Sequence, residues 1–401
     1  MVKKILWISL KAPYDKVDHA GGKVHNFYLK KMHESTKFDI KLFSYSSKEE
    51  LKKIDLDDYH IDNHIELYDY YPKCDILRKL LNIESRLNIF NRNFNMISNF
   101  RIYKLKKFLK KLYRDNYMPD IVILEWTQII FQIKHIKKYF PNAKYICIEE
   151  DVSYLSYKRR IDFCTGLNKQ KAIFRYNGIK KKELECLKLS DLIIINNRKD
   201  LELLKNDGIN QNKCFISIPY FDKFEISNSG CSYKKIMFYG AMSRPENYES
   251  IIWFINNVFN FLDRDYYLYI VGSNPPKELL QYKSDRIIIT GFVKTPVEYF
   301  KQCGIFVAPL LLGAGIKIKI LEAMYAKKIV LTNQIGIEGI PAKNGVEYIY
   351  CSNDSDYMNY IKEIQENKNL QNIGNNAYTF INNYFNMDSN IKEMINVIDT
   401  L

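Results

Sequence analysis

The 401-residue sequence contains no apolar run approaching the roughly 20 residues needed to cross a bilayer, which excludes an obvious helical span. Its eight cysteines (Cys74, Cys147, Cys164, Cys186, Cys214, Cys231, Cys303 and Cys351) form no Cys-x-x-Cys pair. That spacing argues against a zinc site or a disulfide framework, and for small reduced core residues in a cytoplasmic protein. No Gly-x-Gly-x-x-Gly follows the first apolar segment, so a nicotinamide-dinucleotide enzyme is disfavoured. No Asp-x-Asp closes an apolar strand, and no metal is expected. Low-complexity tracts and recognised nucleic-acid-binding motifs are also absent, so no nucleic-acid partner is expected. Met1–Leu10 imitates a leader, but Lys11 and Pro13 interrupt it without a small-residue cleavage site, and it reads as a first buried strand.

What is present is an abundant core and an uneven charge. Hydrophobic residues make up 47% of the chain, and the length favours two or three domains. The net charge of +14 lies entirely in residues 1–230, whereas residues 231–401 hold 17 basic and 17 acidic residues. The excess either marks an anionic partner of the first half or is an ordinary solvated surface. Two stretches there, Tyr103–Tyr113 and Ile133–Phe140, read as basic amphipathic helices, a pattern that is more often an ordinary surface of an α/β domain but would also suit the inner face of a membrane.

Short β-branched runs alternate with helical patterns along the whole chain. The first series is Ile5–Ser9, Ile40–Phe43, Ile121–Leu124, Tyr145–Ile148, Leu192–Asn196 and Phe215–Ile218. A second follows at Lys235–Tyr239, Tyr267–Val271, Ile287–Thr290, Ile305–Ala308, Ile329–Thr332 and Tyr348–Tyr350. Near-continuous apolar strands separated by helices predict parallel sheets, and two series predict two doubly wound α/β domains, 1–225 and 226–384. The polar stretch within Pro219–Ser232 reads as the linker. A last helix, about 385–401, would pack back on the first domain.

The most specific signal follows the strand at Ile305–Ala308. Gly313-Ala314-Gly315-Ile316-Lys317-Ile-Lys319-Ile-Leu-Glu322 places glycines between a strand and a helix, where the backbone can approach a ligand. Amides at the helix start, with Lys317 and Lys319 in its first turn, suit a diphosphate. Glu322 would accept hydrogen bonds from a ribose diol, with Ile316, Ile320 and Met324 packed on the sheet. The alternative for Lys319 and Glu322 is a surface pair worth a few tenths of a kcal/mol.

With Gly291-Phe-Val293, Cys303, Pro309, Val330, Thr332 and Gly336–Gly339, this run resembles the donor-binding half of retaining glycosyltransferases of family 4, which have the GT-B fold. Phe238–Met242 with Pro245-Glu-Asn247, and Ile270-Val-Gly272, resemble the opening strands of that half; the likeness covers most of residues 234–345. The resemblance implies two Rossmann-like domains facing across a cleft. It implies a nucleotide-sugar donor, most simply a UDP-sugar or else a GDP-sugar, and transfer with retention. It assigns Glu322 to the ribose, Gly240, Gly272, Gly313, Ala314, Gly315 and Ile316 to the donor backbone contacts, and Lys317, Lys319 and Arg244 to the diphosphate. Phe292 and Val293 would border the base. Ala314 stands where the family often has a first glutamate.

In the first half the resemblance is weaker. Ala20-Gly21-Gly22-Lys23-Val-His25 resembles the family's N-terminal glycine loop, with Gly21 and Gly22 near the donor and His25 near the acceptor. Glu125 and Trp126 follow one strand, and Glu149-Glu150-Asp151 follow another, at the edge where open α/β sheets bind ligands. No histidine accompanies that second carboxylate group. Asp151, Glu150 and Glu125 are candidates to contact or deprotonate the acceptor hydroxyl, or else helix caps with solvated neighbours. Arg159 and Arg160 would pair with a lipid-linked diphosphate acceptor. The expected activity is sugar transfer to a glycan or lipid-linked acceptor in surface polysaccharide synthesis, with no cofactor beyond the donor. A catalytically degenerate subunit and a nucleotide-sugar 2-epimerase remain alternatives.

Overall fold

The computed structural model describes residues 2–17, 19–68, 94, 96–162, 164–224, 226, 230–313 and 315–401; Cys74 and Ala314 lie outside them. The chain divides into two compact units, one of Met1–Ser217 with Asp388–Leu401, the other of Ile218–Met387.

The first unit is built on seven parallel strands, β1 (Lys3–Ile8), β2 (Phe38–Ser46), β3 (Asp62–Leu67), β4 (Ile121–Glu125), β5 (Lys144–Glu149), β6 (Leu192–Ile195) and β7 (Cys214–Ile216). Their order is β3-β2-β1-β4-β5-β6-β7. Ile5 is in register with Ile40 on one side and Ile121 on the other, so β1 lies at the point where the order reverses. The second unit repeats the plan with six parallel strands, β8 (Ser232–Tyr239), β9 (Tyr267–Val271), β10 (Ile287–Gly291), β11 (Cys303–Ala308), β12 (Ile329–Thr332) and β13 (Ile349–Tyr350). The order β10-β9-β8-β11-β12-β13 puts its reversal between β8 and β11. Ligands of open α/β sheets bind beyond the carboxyl ends of the strands at this reversal.

Each expected apolar run lies in a strand to within three residues. The central strands are buried on both faces, as their unbroken β-branched runs require: Ile5, Leu6, Trp7, Ile8, Val122, Ile123 and Leu124 have no exposed surface. β3 was not expected, because Asp-Asn-His-Ile-Glu-Leu at the sheet edge is only partly covered and carries no apolar run.

The two basic amphipathic stretches spend their apolar faces inside the unit. Leu105, Phe108, Leu109 and Leu112 of the helix Asn99–Arg114, and Ile133, Ile136 and Phe140 near the short helix Ile133–Ile136, join one core cluster with Val122 and Leu124. That removes the apolar face from the expected membrane contact of both stretches. No helix among the described residues is long and apolar enough to cross a membrane. The last helix, Met387–Asp399, is tied to the first unit: Lys3 Nζ donates to the Asp399 carbonyl, Lys37 Nζ lies 3.0 Å from Asp399 Oδ2, and Asn390 Nδ2 donates to the Ile216 carbonyl at 3.2 Å.

Candidate functional site

In the second unit, three strands, β8, β9 and β10, are followed or closed by glycine at the carboxyl edge. After β8, Gly240 N donates to the Val271 carbonyl at 3.1 Å, and Met242 N to Ser273 O at 2.8 Å. The turns after β8 and β9 thereby lie against each other. Arg244 caps the helix Pro245–Asn257 and pairs with Glu246, its side chain largely exposed. After β10, Phe292 projects 76% exposed beside a half-buried Val293.

The loop after β11 carries Gly313 and Gly315 at φ 127° and 69°. The helix that follows is Ile318–Tyr325, so Lys319 is in its first turn as expected, whereas Lys317 is its N-cap. Lys317 Nζ donates to Gly315 O at 2.5 Å and lies 3.7 Å from Glu338 Oε2, which closes the loop on itself. Ile316 is half-buried, while Leu321, Ala323 and Tyr325 join Ile320 and Met324 in the core. The helix is therefore covered on nearly every side.

This covering overturns the surface-pair alternative. Glu322 is 2% exposed and its Oε1 accepts from Asp222 N at 3.4 Å. Lys319 Nζ donates to Asn247 Oδ1 at 2.5 Å and sits 4.6 Å from the Phe238 ring centre. Burial, with the positive charges of Arg244 and Lys317 close by, pushes the Lys319 ammonium down to about 7. Three cations thus converge beside a buried carboxylate at the reversal of the second sheet.

In the first unit the structure brings together Gly21, His25, Glu125, Trp126 and Glu150. The helix Ala20–Glu34 is capped by His19, whose Nδ1 accepts from Gly22 N at 2.9 Å. A side chain on Gly22 would strike Val17 and His19, so this glycine closes the turn. Gly21 faces the other way, toward Trp126 and Glu150 at 3.6 and 3.9 Å from where its Cβ would be. His25, one turn on, has no exposed surface; it backs Glu125 and Trp126 rather than facing outward. Its Nε2 lies 3.1 Å from Glu125 Oε2, and its ring meets the edge of Trp126 at 5.3 Å. Burial holds His25 at about 3, so the imidazole is neutral at pH 7.

Glu125 ends β4 with 1% exposure and accepts from Trp7 Nε1 at 2.7 Å. Trp126 then takes φ 71°, a left-handed conformation that is costly for a bulky residue and tends to mark functional turns. Glu150 follows β5, and Asn196 Nδ2 donates to its carbonyl at 3.0 Å and its Oε2 at 3.4 Å. Burial and the neighbouring Glu150 raise Glu125 well above the usual carboxylate range; burial and Asp151 raise Glu150 to about 8. The pair therefore retains protons at pH 7.

Glu149, on the opposite side of the strand, accepts from Thr127 Oγ1 at 2.6 Å. Glu183 takes up the Ser153 and Tyr154 amides at 2.9 and 3.1 Å, capping the helix Ser153–Ile161. Burial raises Glu149, Glu150 and Glu183, and the charge of half-buried Asp151 adds to each shift. Arg159 and Arg160 sit in the last turn of that helix, roughly 10 Å along its axis from its first residue. Arg160 is exposed and lies over the Tyr157 ring. Nothing in the local sequence marks Trp7 or Asn196, and Asn247 and Glu338 stand in the quoted motifs without an assigned role, because each acts on a group from a distant segment.

Solved structures share this fold over nearly the whole chain. Anabaena HepE in complex with UDP-glucose superposes with a TM-score of 0.69 at 12% identity, covering 100% of each chain. Sucrose-phosphate synthase of Thermosynechococcus elongatus gives 0.70 at 13% identity, over 99% of this chain and 98% of that one. A variant of S. aureus TarM in complex with fondaparinux, alpha-GlcNAc-glycerol and UDP gives 0.65 at 12%, over 98% and 99%. These likenesses establish the GT-B fold. In sequence, an uncharacterized 44.6 kDa protein in the cps region of Klebsiella pneumoniae is 27% identical over 175 residues, 40% of this chain and 44% of that relative, so the match spans under half of its length. Residues 233–367, which contain the Gly313–Glu322 loop and helix, match the family model described as Glycosyl transferases group 1.

Proposed function

We propose that the protein is a glycosyltransferase that moves a sugar, with retention and without a metal, from a UDP-sugar to a glycan or lipid-linked acceptor in surface polysaccharide synthesis. The observation that carries this reading is the convergence of Arg244, Lys317 and Lys319 around the β11 loop beside buried Glu322. A group bearing two phosphates answers that positive charge, and a ribose diol answers the carboxylate. Relatives of the same fold bind UDP and UDP-glucose, and a sequence relative is encoded in a cps region, which support the donor and the setting.

Departure of the nucleoside diphosphate leaves oxocarbenium-like character on the sugar, by analogy with glycoside hydrolysis. Cations already fixed in place stabilise the leaving charge without reorganising. The Lys319 ammonium, held down to about 7 by burial and its cationic neighbours, regains full charge when a phosphate approaches. In the first unit, Glu150 is the side chain suited to exchange a proton with an acceptor hydroxyl, since it lies near 8 and is less enclosed than Glu125.

Thermal melts of wild type and Glu322→Ala against a panel of nucleotides test the donor site. UDP at ~100 times its dissociation constant stabilises by about 2.7 kcal/mol. A UDP-dependent shift in wild type that Glu322→Ala loses is expected; no shift with any nucleotide overturns the reading. Turnover that survives excess EDTA is expected, and loss restored by Mg²⁺ or Mn²⁺ overturns metal independence.

A further inference from the structure

Asn247 lies in the first turn of the helix Pro245–Asn257 and is 6% exposed. Its amide is used at both ends. Nδ2 donates to the Ala241 carbonyl at 2.7 Å, in the turn after β8, and Oδ1 accepts from Lys319 Nζ at 2.5 Å, in the helix after β11. Both elements flank the reversal of the sheet. The amide also fills the space beside Gly240, where a Cβ would stand 3.0 Å from Nδ2 and 3.5 Å from Lys319 Nζ. The same helix reaches the β11 loop a second time, through Leu311 N donating to Ser250 Oγ at 3.1 Å. One helix thus ties the two loops that border the cation cluster.

We propose that Asn247 is a positioning residue that aims the Lys319 ammonium at the diphosphate of the bound nucleotide while pinning the β8 turn. The inference rests on the donor reading above. The site needs one donor and one acceptor on a short stem. Aspartate keeps the acceptor but turns a second lone pair on the Ala241 carbonyl; alanine keeps neither; leucine leaves the ammonium buried without a partner. Aspartate also adds a charge to a group already faced by Arg244, Lys317, Glu246 and Glu322.

The test is UDP binding by titration calorimetry from about pH 6 to pH 9, with GDP alongside, on wild type, Asn247→Ala, Asn247→Asp, Lys319→Met and the Lys319→Met/Asn247→Ala double variant. In wild type, affinity weakens as pH rises above 7, because binding must then supply the Lys319 proton. Asn247→Ala is expected to weaken UDP about tenfold. Asn247→Asp, which holds the ammonium protonated, is expected to flatten the pH profile. In the Lys319→Met background, Asn247→Ala is expected to cost less than in wild type, only the loss of the β8 pin remaining, whereas a merely structural asparagine would cost the same in both backgrounds. Wild-type affinity and an unchanged profile in both Asn247 variants overturn the inference while leaving the donor reading intact. Wild type that binds neither UDP nor GDP overturns both.

Discussion

Gly272 packs on the carbonyl oxygen of Gly240 so closely that a Cβ there would stand 1.7 Å from it. The two glycines follow neighbouring strands, and the contact sets how the β8 turn leaves the sheet toward Ala241 and Asn247. Gly272→Ala must push one turn away from the other, an overpacking that costs about 1–3 kcal/mol or more. Gly291, at φ 69° with open space where a Cβ would go, supplies the control. Gly291→Ala pays only for its backbone conformation, about 1–2 kcal/mol. In thermal melts with and without UDP, Gly272→Ala is expected to lose both stability and the UDP shift, and Gly291→Ala to keep the shift. Equal behaviour of the two variants would sink the assignment of the β8 and β9 turns to the site.

The Glu125–Glu150 pair predicts a pH dependence whose sign is fixed. Both carboxyls are raised when folded, Glu150 to about 8, against roughly 4.3 in an unfolded chain. The folded state then binds more protons, so the contribution to stability is full below the unfolded value and is lost as pH rises through the folded one. Relative to Glu150→Gln, wild type should lose up to about 1.4 kcal/mol per pH unit between roughly pH 5 and pH 8. His25, depressed by burial to about 3, acts in the opposite sense below its ordinary range but is common to both proteins. Melting curves across this range read the difference directly. A constant gap between wild type and Glu150→Gln would show that the pair does not hold its protons.

How much of this was legible in the sequence follows from the range of each interaction. The strands could be read because burial on both faces demands unbroken apolar runs, and the β11 loop because its glycines and lysines are adjacent in the chain. β3 escaped because an edge strand needs no apolar run, and its residues are mostly half-buried. The partners of the site escaped for a different reason. Trp7 meets Glu125 across 118 residues and Asn247 meets Lys319 across 72, and only the strand order β2-β1-β4 and β9-β8-β11 brings them together. His25 could be placed on the first helix by pattern, yet its burial beside Glu125 depends on β4 lying next to β1. Local chemistry marks a loop; packing decides what supports it.

The basic first half makes a prediction about lipid surfaces. The helix Asn99–Arg114 turns Leu105, Leu109 and Leu112 into the core and leaves Lys106, Lys107, Lys110 and Lys111 exposed. With its aliphatic stripe occupied, this helix keeps only Tyr103 and Tyr113 exposed among its large apolar side chains, so its contact with a membrane must be mainly electrostatic. Each such lysine near an anionic surface is worth about 1 kcal/mol, and the attraction falls off within a Debye length, roughly 10 Å at 0.1 M salt and shorter above it. Cosedimentation is therefore expected with phosphatidylglycerol vesicles at low salt, release at about 0.5 M salt, and none with phosphatidylcholine alone. Lys106→Glu with Lys110→Glu should weaken the low-salt binding without lowering the melting temperature, since neither side chain packs in the core. Binding that survives high salt, or that extends to neutral vesicles, would mean that an apolar surface elsewhere in the chain enters the bilayer and that these lysines are only solvated.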